Sequence, residues 1–255
     1  MRVLISFCFV LFISTLKSQD SALIVIRYKL TYVIDTTQPK YPDIAYFSLL
    51  IGKHESKFTD FVDNNSNVVY TTAISRQDIY KNFSNSKLNT EIRMGQAVYA
   101  VIEEIPVINW LVGKEHKIIQ GYNCQSATGF YRGRNYTAWF SSKIPFRNGP
   151  WKFGGLPGVI LEIYDEKREI IWESQNISTQ IDASVKLIQL NRNDINVTSE
   201  EFRKLKEAIR KDPGAMRGAV PNVTPQKGVI VTVVPAASMG SGNMHRKFNN
   251  PIEKN

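Results

Sequence analysis

Two cysteines and three histidines in 255 residues leave this chain little thiol or metal chemistry. None of His54, His116 and His245 lies one helical turn from another, and no cysteine pair accompanies them, so neither a structural nor a catalytic zinc site is expected. A nucleophile elbow of the G-x-S-x-G type is missing, as is a phosphate loop of the G-x-x-x-x-G-K type. No cofactor is therefore expected. Glu103–Glu104 and Asp165–Glu166 are adjacent carboxylates, and neighbours on a strand point to opposite faces, so neither pair makes an acid–base site alone. Long hydrophobic runs are absent downstream of the N-terminus, which excludes a second membrane-spanning helix. The chain is basic, at +9, but its Lys and Arg residues are dispersed, which fits a solvated surface better than a nucleic-acid patch.

The one sustained apolar run is Val3–Leu16, preceded by Arg2 and followed by Lys17, Ser18 and Gln19. Charge, short apolar core and small residue in that order read as a secretory signal peptide over 1–18. The run falls short of the ~20 residues a spanning helix needs. Removing 1–18 deletes Arg2 and Lys17, takes the charge from +9 to +7, and leaves Cys124 as the only cysteine. The expected product is an exported protein of the periplasm or cell surface without an internal disulfide. Cys124 then reads as a small buried side chain in a strand.

The rest, 19–255, reads as a single β-rich domain. Ile24, Ile26, Tyr28, Leu30, Tyr32 and Ile34 share one parity, the pattern of a half-buried strand. Further strands are expected at 44–51, 56–62, 68–74, 96–103, 117–125, 127–132, 134–142, 158–164 and 169–175, with a tight hairpin around Asp165–Arg168. Residues 75–95 read as irregular loop with one helical turn at most. An amphipathic helix is expected over Thr198–Lys211, with Thr198 as its cap, Glu200 and Glu201 in its first turn, and Phe202, Leu205 and Ile209 facing the core. From about 212 the chain turns loop-rich, with a small-residue stretch at 236–245. The fold class is thus mainly β: an antiparallel sheet or sandwich, or a partly open barrel, with one late amphipathic helix.

Residues 121–163 stand apart. Phe130, Tyr131, Tyr136, Trp139 and Phe140 crowd around Arg132 and Arg134. On a strand, Arg134, Tyr136, Ala138 and Phe140 share one face, and Trp139 lies opposite with Asn135 and Thr137. Gly149, Gly154, Gly155, Gly158, Pro150 and Pro157 then surround Trp151, Lys152 and Phe153, which specifies a rigid corner. Two readings stay open: an aromatic plug at the end of the sheet, or a ligand platform. Under the second, Arg134, Trp139, Trp151 and Lys152 are the contact residues.

GLPGVI at 155–160, with GPWKF at 149–153 and GRNYTAWFSSKIP at 133–145 before it, resembles the signature of the GLPGLI family of Bacteroidota. Asn250-Pro251-Ile252-Glu253 resembles that family's terminal pattern, and Val159 departs from it conservatively. The resemblance implies an exported protein of a Gram-negative envelope and carries no catalytic residue. Three functions follow as expectations. The first is a non-enzymatic binding or carrier protein for a lipid-like molecule, a glycan or an extended peptide. The second is an accessory subunit of an outer-membrane assembly, with an outer-membrane protein as partner. The third is a hydrolase acting through two distant carboxylates.

Overall fold

The computed structural model describes residues 21–61, 77–94, 97–181, 194–211 and 249–253. The signal-peptide segment, the strand expected at 68–74 and the stretch 236–245 lie outside them.

Twelve strands form one sheet: β1 (Ile24–Tyr32), β2 (Asp43–Ile51), β3 (Glu55–Asp60), β4 (Gln77–Asn82), β5 (Lys87–Met94), β6 (Ala97–Glu104), β7 (Leu111–Ile119), β8 (Tyr122–Tyr131), β9 (Arg134–Ser141), β10 (Val159–Asp165), β11 (Ile170–Ser178) and β12 (Ile195–Thr198). Their spatial order is β12-β6-β5-β4-β3-β2-β1-β11-β10-β9-β8-β7. Every pairing is antiparallel except β12 on β6. The fold is mainly β, as its alternation predicts, and takes the form of an open sheet rather than two stacked ones.

Alternation decides which face is inside. In β1, Ile24, Ile26, Tyr28, Leu30 and Tyr32 are all buried, and the register sets Tyr28 against Phe47 and Leu30 against Trp172. Phe47, Phe58 and Trp172 meet there with ring centroids 5.0–5.5 Å apart. Each such ring, fully removed from water, contributes roughly 1.5–3 kcal/mol.

The loop-with-helical-turn expectation for 75–95 is corrected: β4 and β5 pair over Gln77–Ile92 and Asn82–Lys87. Their inner face carries Lys81 and Thr90 beside Ile79 and Leu88, so polar residues interrupt the apolar alternation. The strand read at 117–125 is also split. Gln120 and Gly121 both adopt positive φ (50° and 79°) and turn β7 into β8.

The helix α1 (Ser199–Lys211) starts as expected. Thr198 Oγ1 accepts from the Glu201 amide at 3.2 Å, and Glu201 accepts in return from the Thr198 amide at 2.8 Å, a reciprocal capping box. Phe202 is buried against Tyr99 of β6, centroids 5.9 Å apart, so the apolar face of α1 packs on the sheet.

The sheet curls around the β9–β10 connection, residues 142–158. This corner meets strands from both halves of the strand order. Lys81 of β4 donates to Asn148 Oδ1 at 2.8 Å and to the Phe153 carbonyl at 2.6 Å. From the other side Tyr131 of β8 packs edge-on against Trp151 and Phe153, at 6.0 and 5.8 Å. Gly158 is required by space: a Cβ there would lie 2.2 Å from the Ser141 carbonyl oxygen. Gly155 supplies a φ of 95° that side-chain-bearing residues avoid.

Candidate functional site

Of the four residues singled out from sequence, Trp151 and Lys152 lie in the corner and Arg134 and Trp139 on β9, and internal partners occupy each of them. Arg134, on the inner face of β9, holds Asp165 at 2.7 Å and Glu169 at 3.1 Å, and it also donates to Asn250 Oδ1 and, at 2.9 Å, to the Pro251 carbonyl. Trp151 is 4% exposed and adopts a φ of 52°, a left-handed conformation that costs a non-glycine residue about 1–2 kcal/mol. Its ring lies 5.4 Å from Phe153, which in turn lies 4.8 Å from Tyr136. Packing on all sides holds that backbone.

Lys152 reaches out of the same turn to Glu103 of β6 and to Glu253, each at 2.9 Å. Burial pulls the Lys152 ammonium down, but Glu253 and Glu103 outweigh it and the net direction is up. Burial raises the Glu103 carboxyl, and Lys152 beside it brings the balance below the ordinary value. The pair is therefore charged on both sides.

Trp139 sits on the opposite face of β9, as parity requires. Lys117 of β7 lies 4.5 Å above its ring and continues to Glu162 at 2.7 Å, so the lysine stem covers the indole. The structure thus holds Trp151 and Lys152 side by side in the corner, buries Arg134 separately against Asp165, Glu169 and the 250–251 segment, and sets Trp139 on the other face of β9. Cys124 is fully buried, and burial pushes its thiol up to about 11, which leaves it a poor nucleophile at neutral pH. Among the described residues no cluster of His, Cys, Asp or Glu is arranged to hold a metal.

The accessible feature lies on the outer face of β8–β10. The register lines up Leu111, Thr128, Thr137 and Tyr164 in one row across four strands. Phe130 and Asn135 form the next row. Around them is an open groove of about 560 Å³, rimmed by Asn109 and Glu166. Phe130 is 65% exposed and Leu111 74%. Asn135 Nδ2 donates to Glu166 at 3.1 Å, and the Arg168 guanidinium stacks on the Tyr164 ring at 4.1 Å, outside the groove lining. Sequence reasoning placed Phe130 among the crowded aromatics but did not select it. The usable signal was its parity: it lies out of phase with Tyr131, which faces the core.

Known proteins resemble parts of this architecture. Residues 130–162 match the model of a family described as "Protein of unknown function (Porph_ging)". That match covers β9, the corner, most of β10 and the Phe130 end of β8. No curated protein matches the chain. Solved structures that share its fold include PNGF-II in two crystal forms. PNGF-II in a P21 crystal form superposes with a TM-score of 0.54 at 12% identity, over 73% of this chain and 33% of that one. PNGF-II in a C2 form gives 0.53 at 11%, over 71% and 32%. The chain thus spans about a third of the length of those structures, and at such identities the likeness is one of fold.

Proposed function

We propose that this protein is an exported, non-enzymatic binding protein of the cell envelope, and that its ligand is a neutral glycan held across the outer face of β8–β10. The observation that carries this reading is the groove itself: an exposed Phe130 ring beside amide, hydroxyl and carboxylate groups, with no lysine or arginine in the lining. An aromatic face takes the apolar side of a sugar ring, and planar polar groups take its hydroxyls.

The same chemistry argues against the other ligands. An acyl chain needs an enclosed apolar cavity, and this groove is open and mixed. An anionic head group needs cations, and the lining has none. An extended peptide binds largely through backbone pairing, but β8, β9 and β10 are each paired on both sides, so the groove floor offers no free edge. Hydrolysis through two carboxylates requires a pair about 5–9.5 Å apart, and Glu166 is the single carboxylate in the lining. The export reading rests on the Arg2–Ser18 pattern and on the GLPGVI segment.

The test is a binding screen of the mature protein on a panel of neutral oligosaccharides, with fatty acids and unstructured peptides as comparators. Saturable binding confined to glycans supports the reading; binding confined to fatty acids or peptides rejects it. One observation favours an accessory-subunit role instead. β7 ends the strand order and exposes Leu111, Val112 and Ile118, an edge of the kind a partner strand can extend. Co-purification with an envelope protein, lost on Ile118→Lys, would favour it.

A further inference from the structure

Lys81 and Asn148 meet where β4 touches the β9–β10 corner. Lys81 is 2% exposed and Asn148 is fully buried. Lys81 Nζ lies 2.8 Å from Asn148 Oδ1, so the Cγ carbon bonded to that oxygen is no more than about 4 Å from the amine. The backbone holds Asn148 in place: its amide donates to the Phe146 carbonyl at 2.8 Å, and its carbonyl accepts from the Ile160 amide at 2.9 Å. Two donors converge on Oδ1, because the Gly149 amide reaches it at 2.9 Å beside the lysine. Converging donors of this kind stabilise the charge that develops on a carbonyl oxygen under attack. The side-chain nitrogen Nδ2 is buried without a hydrogen-bond partner.

The amine is in a form that can attack. No carboxylate among the described residues pairs with Lys81, and desolvation lowers its pKa to about 7, so much of it is neutral at neutral pH. A buried cation without a counter-ion and a buried amide nitrogen without an acceptor are both disfavoured. A single bond between the two side chains removes both.

We propose that Lys81 and Asn148 condense to an isopeptide bond in the folded chain. Nζ adds to Cγ, the Cγ–Nδ2 bond breaks, and the proton shed by Nζ leaves on Nδ2 as ammonia, with no oxidant or co-reactant consumed. The new amide keeps one N–H for the Phe153 carbonyl, which lies 2.6 Å from Nζ. No carboxylate among the described residues touches the pair to move the proton, an aid that contributes roughly 10²–10⁴-fold in rate. Closure is therefore slow, and Lys81 stays a titratable amine until it occurs. The bond ties β4, in one half of the strand order, to the corner that leads into β10 in the other. It supplies the kind of cross-link a disulfide gives, in a protein whose Cys124 is free.

The test is a tryptic map of the mature protein, taken fresh and again after about a week at about pH 8, where the folded amine is mostly neutral. A second sample is held unfolded in urea throughout. A branched peptide is expected, with 77–87 joined to 148–152, one ammonia lost and no cleavage after Lys81. It should form at least tenfold faster in the folded protein than in urea, and fragmentation should place the link at Lys81 and Asn148. Lys81→Arg keeps the donors, removes the nucleophile and should give no branched peptide. The proposal is overturned if the folded protein yields only the separate peptides, or if the link forms as fast in urea. It is equally overturned if Asn148 loses ammonia to a succinimide with Gly149 or to aspartate while trypsin still cuts after Lys81.

Discussion

Arg134 Nη1 lies 2.7 Å from Asp165 Oδ2, with both side chains 3% exposed. This ion pair joins β9 to the β10–β11 hairpin, where Asp165 also accepts from the Ile170 amide at 2.9 Å. Breaking a buried pair by removing one partner leaves an uncompensated charge and costs about 3–5 kcal/mol. Arg134→Ala is therefore expected to lower stability by that amount, measured by urea denaturation. A change below about 1 kcal/mol would mean that Arg134 is not a fixed part of the fold.

Lys81 predicts a pH dependence. It is buried at the corner, donates to Asn148 Oδ1 and the Phe153 carbonyl, and desolvation lowers its pKa to about 7. The unfolded chain holds that proton up to its ordinary value of about 10.4. Between pH 7 and 9 the unfolded state thus binds more protons than the folded state, and stability rises with pH. The contribution is fully present only above the unfolded pKa and is lost as pH falls through about 7. Above pH 9 the buried Cys124 thiol, raised to about 11, begins to oppose it. Over the two units from pH 7 to 9 the gain is about 2 kcal/mol at most. Lys81→Met should flatten this rise in a denaturant series taken at pH 7, 8 and 9.

Gly158 gives a steric prediction. A methyl group there would sit 2.2 Å from the Ser141 carbonyl oxygen, which is backbone and cannot rotate away. Gly158→Ala should destabilise by roughly 1–3 kcal/mol, the usual range for overpacking. A thermal melt reads this directly, and an unchanged melting temperature would contradict the β9–β10 geometry.

Trp139 and Trp151 are expected to part company on truncation. Trp151 is enclosed by Tyr131 and Phe153, and its removal to Ala should cost about 3–5 kcal/mol. Trp139, 8% exposed and part of the main core cluster, lies on the opposite face of β9 with the flexible Lys117 stem over its ring, and that stem can settle into part of the space the indole leaves. Trp139→Ala should cost clearly less, and equal losses in a denaturant titration would contradict the assignment of the two faces.

Much of the fold could be read from residue pattern, and the failures have physical causes. β1 was legible because five inward side chains are apolar without exception. β4 and β5 were not, because their inward positions include Lys81 and Thr90, whose burial depends on acceptors such as Asn148 and the Phe153 carbonyl that come from the distant corner. The turn at Gln120–Gly121 hid among Ile118, Ile119 and Tyr122, which extend the β-type composition through it. For the site, parity separated Trp139 from Arg134 and Tyr136 correctly. What parity could not supply was which face meets water. Size drew attention to the tryptophans, whereas the more exposed ring is Phe130, on a face that only the full strand order leaves open.

The groove is tested most directly by titrating one glycan from the screen into wild-type protein and Phe130→Ala, with melting temperatures taken in parallel. Phe130 is 65% exposed, so its truncation should leave stability within about 0.5 kcal/mol of wild type. Affinity should fall at least tenfold. Unchanged affinity with unchanged stability would contradict the assignment of the outer face of β8–β10 as the binding surface.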